Sequence, residues 1–514
     1  MPLRFLSRTV FAALCIAPGG GLLAVPGRAR AEETLRFNVT LDPAVAKQPI
    51  TGRLYVFLST RAGREPMRGP NWFNPEPFFG IDVVDFAPGE SRAIDAASDG
   101  FPDKLPKLKP GEYRIQALLD HSFHHPHHAK GVGNFYSKVL AAKLQPGQTG
   151  SISLKLDQLI EATAFPESKW VKEIVLPSKL LSDFHRREVV EYCGVALPRS
   201  YYDQPKRRYP VLYIIPGFGG GHRSALRYKN GGPELGEGEA EFIRVMLNGR
   251  CKWGHHVYAD SATNGPRGAA LVREMIPHID ATFRTVAAPT ARFLNGHSSG
   301  GWSSLWLQVA YPDFFGGVWS TSPDPVDFRD YQNVNLYAKP PLSLYVDEAG
   351  GRRPIARRGG KPVLWYDSFG KMDDCLKRGG QLRSFEAVFS PLGKDGLPRK
   401  LWDRKTGRID PEVARAWEAY DIRLKLERNW KTLGPKLAGK LHIVIGELDT
   451  FYLEGAVRQL KGALKEIGSD AEIEIVPGAS HGSVVTAKLI KRIRRQMSQA
   501  FFKHHPSETP GDAK

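Results

Sequence analysis

Hydrophobic and polar positions alternate in short runs through the first third of the chain, and the period changes near residue 185. Runs at 35–41, 54–60, 81–86, 113–119, 139–144 and 151–156 are strand-length, with Pro88-Gly89, Pro110-Gly111 and Pro146-Gly147 as turn signals between them. No helix-length periodic segment interrupts them, so residues 32–160 read as an all-β, immunoglobulin-like sandwich. After a joining stretch at 165–184, strand-like runs at 188–197, 209–215 and 256–259 lead to a helical pattern at 268–283, with Leu271, Met275, Ile276 and Ile279 on one face. The alternation continues through an apolar run at 291–295, a helical pattern that stops before Pro312, and a strand at 317–320. It resumes with strands at 441–445 and 471–476 around a helix at 453–467. This grammar predicts an α/β domain over 161–514, a mainly parallel sheet with helices on both faces. Residues 322–437 break the pattern with Pro, Gly, Arg and aromatic residues, as a cap insertion over a pocket would.

Composition adds a compartment. Arg4 and Arg8, an apolar stretch at 10–17 and Ala29-Arg30-Ala31 have the order of a signal peptide cleaved after Ala31, which predicts a secreted or periplasmic protein. No later run approaches the roughly 20 apolar residues of a membrane span. The formal charge of +18, less the four leader arginines, leaves +14. The Lys and Arg residues are dispersed and carry no nucleic-acid reading motif, so a solvated basic surface is the reading and nucleic acid is not a predicted partner. Beyond Cys15, Cys193, Cys251 and Cys375 allow at most one intramolecular disulfide, and spacing does not choose it. Residues 121–128 (HSFHHPHH) include His121, His124 and His125. A zinc or copper site is one reading; with no Cys, Asp or Glu inside the run and a proline bending it, a surface or interdomain loop is favoured and no metal is assigned.

The chemistry centres on residues 290–302, TARFLNGHSSGGW. An apolar strand, a Gly-His-Ser-Ser-Gly corner and a helix start together form a nucleophile elbow, with Ser298 as the nucleophile. A serine hydroxyl needs a base in reach and a carboxylate to orient that base. Asp449, after the strand at 441–445, and His481, in the loop after the strand at 471–476, supply them in the order Ser298, Asp449, His481. Glu447, Asp324 and Asp327 are rival carboxylates; His222, His255, His256 and His297 are weaker rivals as base. Oxyanion donors are expected from the Ser299 backbone N–H and from Phe218 or Gly219 in the glycine-rich loop 215–221.

With these residues in view, the segment from about residue 184 onward resembles the esterase-D-like family of α/β-hydrolases. The motifs that carry the resemblance are PGFGGG, Asp260-Ser261, GHSSGGW, GELD and GASHG. The family's usual His-Gly ahead of the oxyanion loop is Pro216-Gly217 here, and the insertion before Asp449 is long. The resemblance implies an α/β-hydrolase fold and a serine carboxylic ester hydrolase, with Ser298, Asp449 and His481 matching the triad and Phe218 and Ser299 the oxyanion donors. No cofactor is implied. The substrate expected is an ester, on a small molecule, a polysaccharide or another acylated natural product. The competing readings are an acyltransferase on the same triad, a secreted peptidase, and a retired hydrolase scaffold acting as a binding protein.

Overall fold

The computed structural model describes residues 34–508 except 123 and 378. The leader expected at 1–31 lies outside the described residues.

The first sheet contains β1 (Arg36–Leu41), β2 (Ile50–Ser59), β3 (Phe78–Phe86), β4 (Ser91–Ile94) and β5 (Asp99–Phe101). It also contains β6 (Gly111–Asp120), β7 (Phe135–Ser137), β8 (Leu140–Leu144) and β9 (Ser151–Leu159). All nine join one hydrogen-bonded order, β4-β1-β9-β7-β6-β2-β3-β5 with β8 also on β6, where the strand pattern predicted the two sheets of a sandwich. The reason lies in β6. Its ten residues hold β2 along one edge, while the other edge pairs with β8 near Gly111 and with β7 near Leu118.

The second sheet is the α/β-hydrolase core. Its strands are β10 (Val171–Pro177), β11 (Val190–Ala196), β12 (Val211–Ile215), β13 (Ile243–Leu247), β14 (Arg292–His297), β15 (Gly317–Thr321), β16 (Leu441–Gly446) and β17 (Glu472–Val476). Their order is β10-β11-β13-β12-β14-β15-β16-β17. Pairings from β13 through β17 are parallel; β10 and β11 are antiparallel additions. Register aligns the carboxyl ends, with Ile215 opposite Gly296, His297 opposite Thr321 and Gly446 opposite Val476. Loops leaving these strands therefore converge on one rim, where open α/β sheets bind ligands.

One predicted strand is wrong. Residues 256–259 form a turn with Val257 and Tyr258 at positive φ, and the strand beside β12 is β13. The turn is tied by its own imidazoles: His255 Nδ1 accepts the Val257 N–H at 2.9 Å and His256 Nδ1 accepts the Tyr258 N–H at 3.2 Å. The strand β13 carries a buried Arg244 at its second position, which breaks its apolar signal; the guanidinium donates to the Phe242 carbonyl and lies over the Tyr228 ring.

The insertion contains a hairpin (Pro354–Arg358 and Lys361–Trp365) and helices Tyr366–Leu376, Gln381–Phe389, Pro411–Trp417 and Ile422–Leu437. Many of its aromatics are buried in one apolar cluster shared with the central sheet and the helix that follows Ser298. Trp417 is fully buried against Phe389, with centroids 5.1 Å apart, and donates Nε1–H to Ser390 Oγ at 2.9 Å.

The β-domain and the insertion share a buried boundary. On β2, Leu54, Val56 and Leu58 face the β-domain's own core, while Tyr55 and Phe57 join the apolar set that includes Phe369, Met372 and Leu376. Burying each such side chain contributes about 1.5–3 kcal/mol. Arg53, nearly inaccessible, donates to the Cys375 carbonyl through Nη2 at 2.7 Å and to Asp82 and Asp99 at 2.8 and 2.9 Å. Tyr55 donates its hydroxyl to the Leu376 carbonyl at 2.5 Å. Truncating Arg53 would strand a buried carbonyl, a cost of about 1–3 kcal/mol.

Candidate active site

Strand β14 stops at His297 and the helix Ser299–Ala310 begins two residues on, so Ser298 alone makes the corner. The corner needs its glycines. A Cβ on Gly296 would stand 2.0 Å from the Gly300 carbonyl oxygen, and one on Gly300 would stand 2.0 Å from that of Ile215. Ser298 itself adopts φ 60° and ψ −127°, a conformation that costs a side-chain-bearing residue about 1–3 kcal/mol. It is held there by its N–H donating to the Thr321 carbonyl and its carbonyl accepting from Trp302, both at 3.0 Å.

His481 and Asp449, 32 residues apart, meet on the rim beyond β16 and β17. The imidazole Nδ1–H donates to Asp449 Oδ2 at 2.8 Å, which leaves Nε2 free to accept a proton. Asp449 is fully buried; its Oδ1 accepts the Phe451 N–H at 2.8 Å, and its carbonyl accepts Arg357 Nε–H from the insertion's hairpin at 2.9 Å. The His481 ring sits between His297, with centroids 4.6 Å apart, and the edge of Phe451 at 5.0 Å. Ser298 and His481 line one cavity of about 280 Å³. No hydrogen bond joins their side chains among the described residues; such contacts often tighten only when substrate is bound.

Gly217 and Phe218 form the wall opposite. A Cβ on Gly217 would lie 3.3 Å from that of Ser298, so the loop backbone passes directly over the serine. Ser299 is buried at the helix start, where backbone N–H groups lack intrahelical partners. Gly219, at φ +78°, is not among the cavity-lining residues; its carbonyl accepts Arg250 Nη2–H at 2.8 Å. Where the family usually has a histidine, the Pro216 carbonyl accepts His255 Nε2–H at 3.0 Å. Burial pushes the His255 pKa down to about 4, so this brace stays neutral near pH 7.

The rival carboxylates separate by position. Glu447 pairs with the Gly478 N–H at the surface, and Asp327 is buried against Arg423 and Arg329. Asp324 does line the cavity. Its N–H donates to the Ser298 carbonyl at 3.3 Å, Gln381 Nε2 lies 3.5 Å from its carboxylate, and burial raises its pKa to about 6. His297, a weaker rival as base from the sequence, also lines the cavity. Burial and the neighbouring His481 push its pKa down to about 4.

The histidine run is used in packing. His128 Nε2 donates to the Met67 carbonyl at 2.8 Å and stacks on Phe57; His121 Nε2 reaches the Gly133 carbonyl at 2.7 Å. His125 and His127 accept backbone N–H groups on Nδ1, and Pro126 abuts Gly379 of the insertion. Among the described residues no group of three His, Cys, Asp or Glu could hold a metal ion. Cys193, Cys251 and Cys375 are all buried and free, and no described helix is long and apolar enough to cross a membrane.

Among known proteins, Esterase Rv1288 of Mycobacterium tuberculosis is 28% identical over 216 residues, 41% of this chain and 44% of the relative. The match thus spans less than half the length of that relative. Among solved structures, a ferulic acid esterase matches with 15% identity and a TM-score of 0.40, over 65% of this chain and 99% of its own. An S-formylglutathione hydrolase of Agrobacterium tumefaciens matches with 13% identity and a TM-score of 0.38, over 66% of this chain and 98% of its own. The Esterase family model, described as "Putative esterase", matches residues 192–481, from β11 to the imidazole that pairs with Asp449. That is more than half of the sequence, and the chain belongs to the Esterase family.

Proposed function

We propose that the protein is a serine carboxylic ester hydrolase working through an acyl-Ser298 intermediate. The observation that carries this reading is the 2.8 Å bond between His481 and the buried Asp449, beside a cavity that Ser298 also lines. The Ser298 hydroxyl oxygen attacks the ester carbonyl as His481 Nε2 takes its proton. The negative oxygen that forms is met by the backbone N–H groups of Ser299 and Phe218. Collapse expels the alcohol, which leaves with the proton from His481, and a water molecule repeats the sequence to release the acid. Asp449 keeps the imidazole in the tautomer that both steps use.

The finer reading is an exported enzyme, after removal of residues 1–31, acting on an ester of a polysaccharide or another acylated natural product. The leader pattern supports export, and the largely apolar cavity supports an uncharged acyl or alcohol group. Turnover of p-nitrophenyl acetate tests the core of the proposal. Ser298→Ala should lose at least about 10³-fold in kcat with its thermal transition unchanged or raised, because alanine removes the nucleophile alone. Equal turnover in the variant would exclude Ser298.

A further inference from the structure

The cavity has a wall that does not belong to the hydrolase domain. Trp72, on the loop between β2 and β3, lines it together with Phe218, Phe369 and Phe451. Its ring lies tilted on Phe218 at 5.5 Å and edge-on to Phe369 at 5.0 Å and Phe451 at 6.4 Å. These neighbours come from three separate stretches: the loop expected to face the oxyanion, the insertion, and the loop after β16 whose Phe451 packs against His481. One indole from the β-domain therefore touches all three of these stretches.

The loop that carries Trp72 is built to hold it. Asn71 Oδ1 accepts the N–H groups of Phe73 and Asn74 at 3.0 and 3.1 Å, a turn that projects the intervening side chain. Glu76 anchors the other end by accepting from Ser59 Oγ at 2.8 Å and the Thr60 N–H at 2.9 Å. Arg53 and Tyr55 fix the domain beneath it to the insertion. Phe369 is buried beyond reach of solvent, whereas Trp72, Phe218 and Phe451 are each partly covered, so Trp72 is the β-domain's share of the rim at which the chamber meets the outside.

We infer that Trp72 is a specificity-determining residue, and that the β-domain serves as a structural part of the ester-binding chamber by limiting the apolar arm of the substrate that fits. This rests on the serine-esterase reading above. The indole fills one side of the chamber's rim, so removing it enlarges the space for an alkyl or aryl arm. Selectivity for chain length should move while the reacting atoms keep their places. A hydrophobic site distinguishes one methylene more or less by about 10-fold or greater, so the change is measurable.

The test uses the full chain with two ester series, p-nitrophenyl acetate through octanoate and a set of acetates with alcohols of increasing size. A fluorophosphonate probe reports in parallel whether Ser298 is reactive. For Trp72→Ala, the long-to-short ratio of kcat/KM in at least one series should rise at least tenfold over wild type, with Trp72→Phe in between and labelling retained in both. Ratios within twofold of wild type in both series, in a Trp72→Ala protein that still labels, would overturn the inference and leave the esterase reading standing. A wild type that neither labels nor turns over any ester would overturn both. A uniform loss of rate for every ester, with labelling lost in Trp72→Ala but kept in Trp72→Phe, would mean that the ring supports folding and would overturn the specificity role.

Discussion

Arg357 donates its Nε–H to the backbone carbonyl of Asp449 at 2.9 Å, which ties the insertion's hairpin to the loop that orients His481. The same guanidinium reaches the Glu447 carbonyl at 3.3 Å and the Glu454 carboxylate at 2.5 Å, and it lies over the Tyr452 ring at 4.5 Å. The insertion is therefore joined to the acid loop as well as placed above the pocket. Arg357 does not line the cavity and acts through Asp449, as a positioning residue.

Arg357→Ala should lower kcat about 10- to 100-fold with little change in KM, since a small displacement of the acid loop misaligns the base without removing a substrate contact. Arg357→Lys should recover only part, because a point charge cannot reproduce the fork of bonds. Steady-state kinetics decide. An unchanged kcat, or a loss confined to KM, would remove the positioning role.

Asp324 should destabilise the folded protein at neutral pH. Its pKa is raised by burial from the ordinary 3.8 to about 6. Any advantage of the neutral form is thus fully present below pH 3.8 and lost as pH rises through 6. Asp324→Asn removes the charge at nearly constant shape and should gain on the order of 2 kcal/mol above pH 6, fading toward pH 4. Thermal melts of both proteins across pH 4–7.5 check this; a gain independent of pH would show that ionisation is not the cause.

The interdomain histidines should make the fold acid-sensitive. Burial holds His125 at about 3 and His127 at about 4, both below the ordinary 6.5. Depressed imidazoles contribute stability that is complete above pH 6.5 and is lost as pH falls toward 4, because the unfolded chain takes up protons first. Replacing both by Asn, whose Oδ1 can also accept the N–H groups of His127 and Ala129, should flatten the fall in Tm between pH 6.5 and 4.5. An equally steep fall in the double variant would place the acid sensitivity elsewhere.

The elbow was legible in the sequence because its constraints are local. Gly296 and Gly300 stand where backbones approach to within a Cβ radius, and the apolar run before them and the helix after them follow in unbroken order. Asp449 and His481 could be singled out because each follows a strand of the same sheet, a buried one before Asp449 and a half-exposed edge strand before His481. The strand β13 escaped because Arg244 interrupts its apolar run, and residues 256–259 passed for a strand because side-chain bonds within a turn leave no mark on periodicity. That His297 lines the cavity depends on the rotation of a single side chain. Trp72 and Arg357 act across long stretches of sequence, 92 residues from Arg357 to Asp449, and only the fold brings them near Phe218 and Asp449. A weak signal for Trp72 did exist, since two adjacent aromatics stand in the turn-rich run GPNWFNPEP, where burial in a local core is not available.

The most direct measurement is the site of covalent modification by a fluorophosphonate. Mass spectrometry of digested protein should find one phosphonyl group, on Ser298, with labelling abolished in Ser298→Ala and strongly slowed in His481→Ala. A wild-type protein that turns over esters yet carries the adduct on another residue, or carries none, would contradict the account.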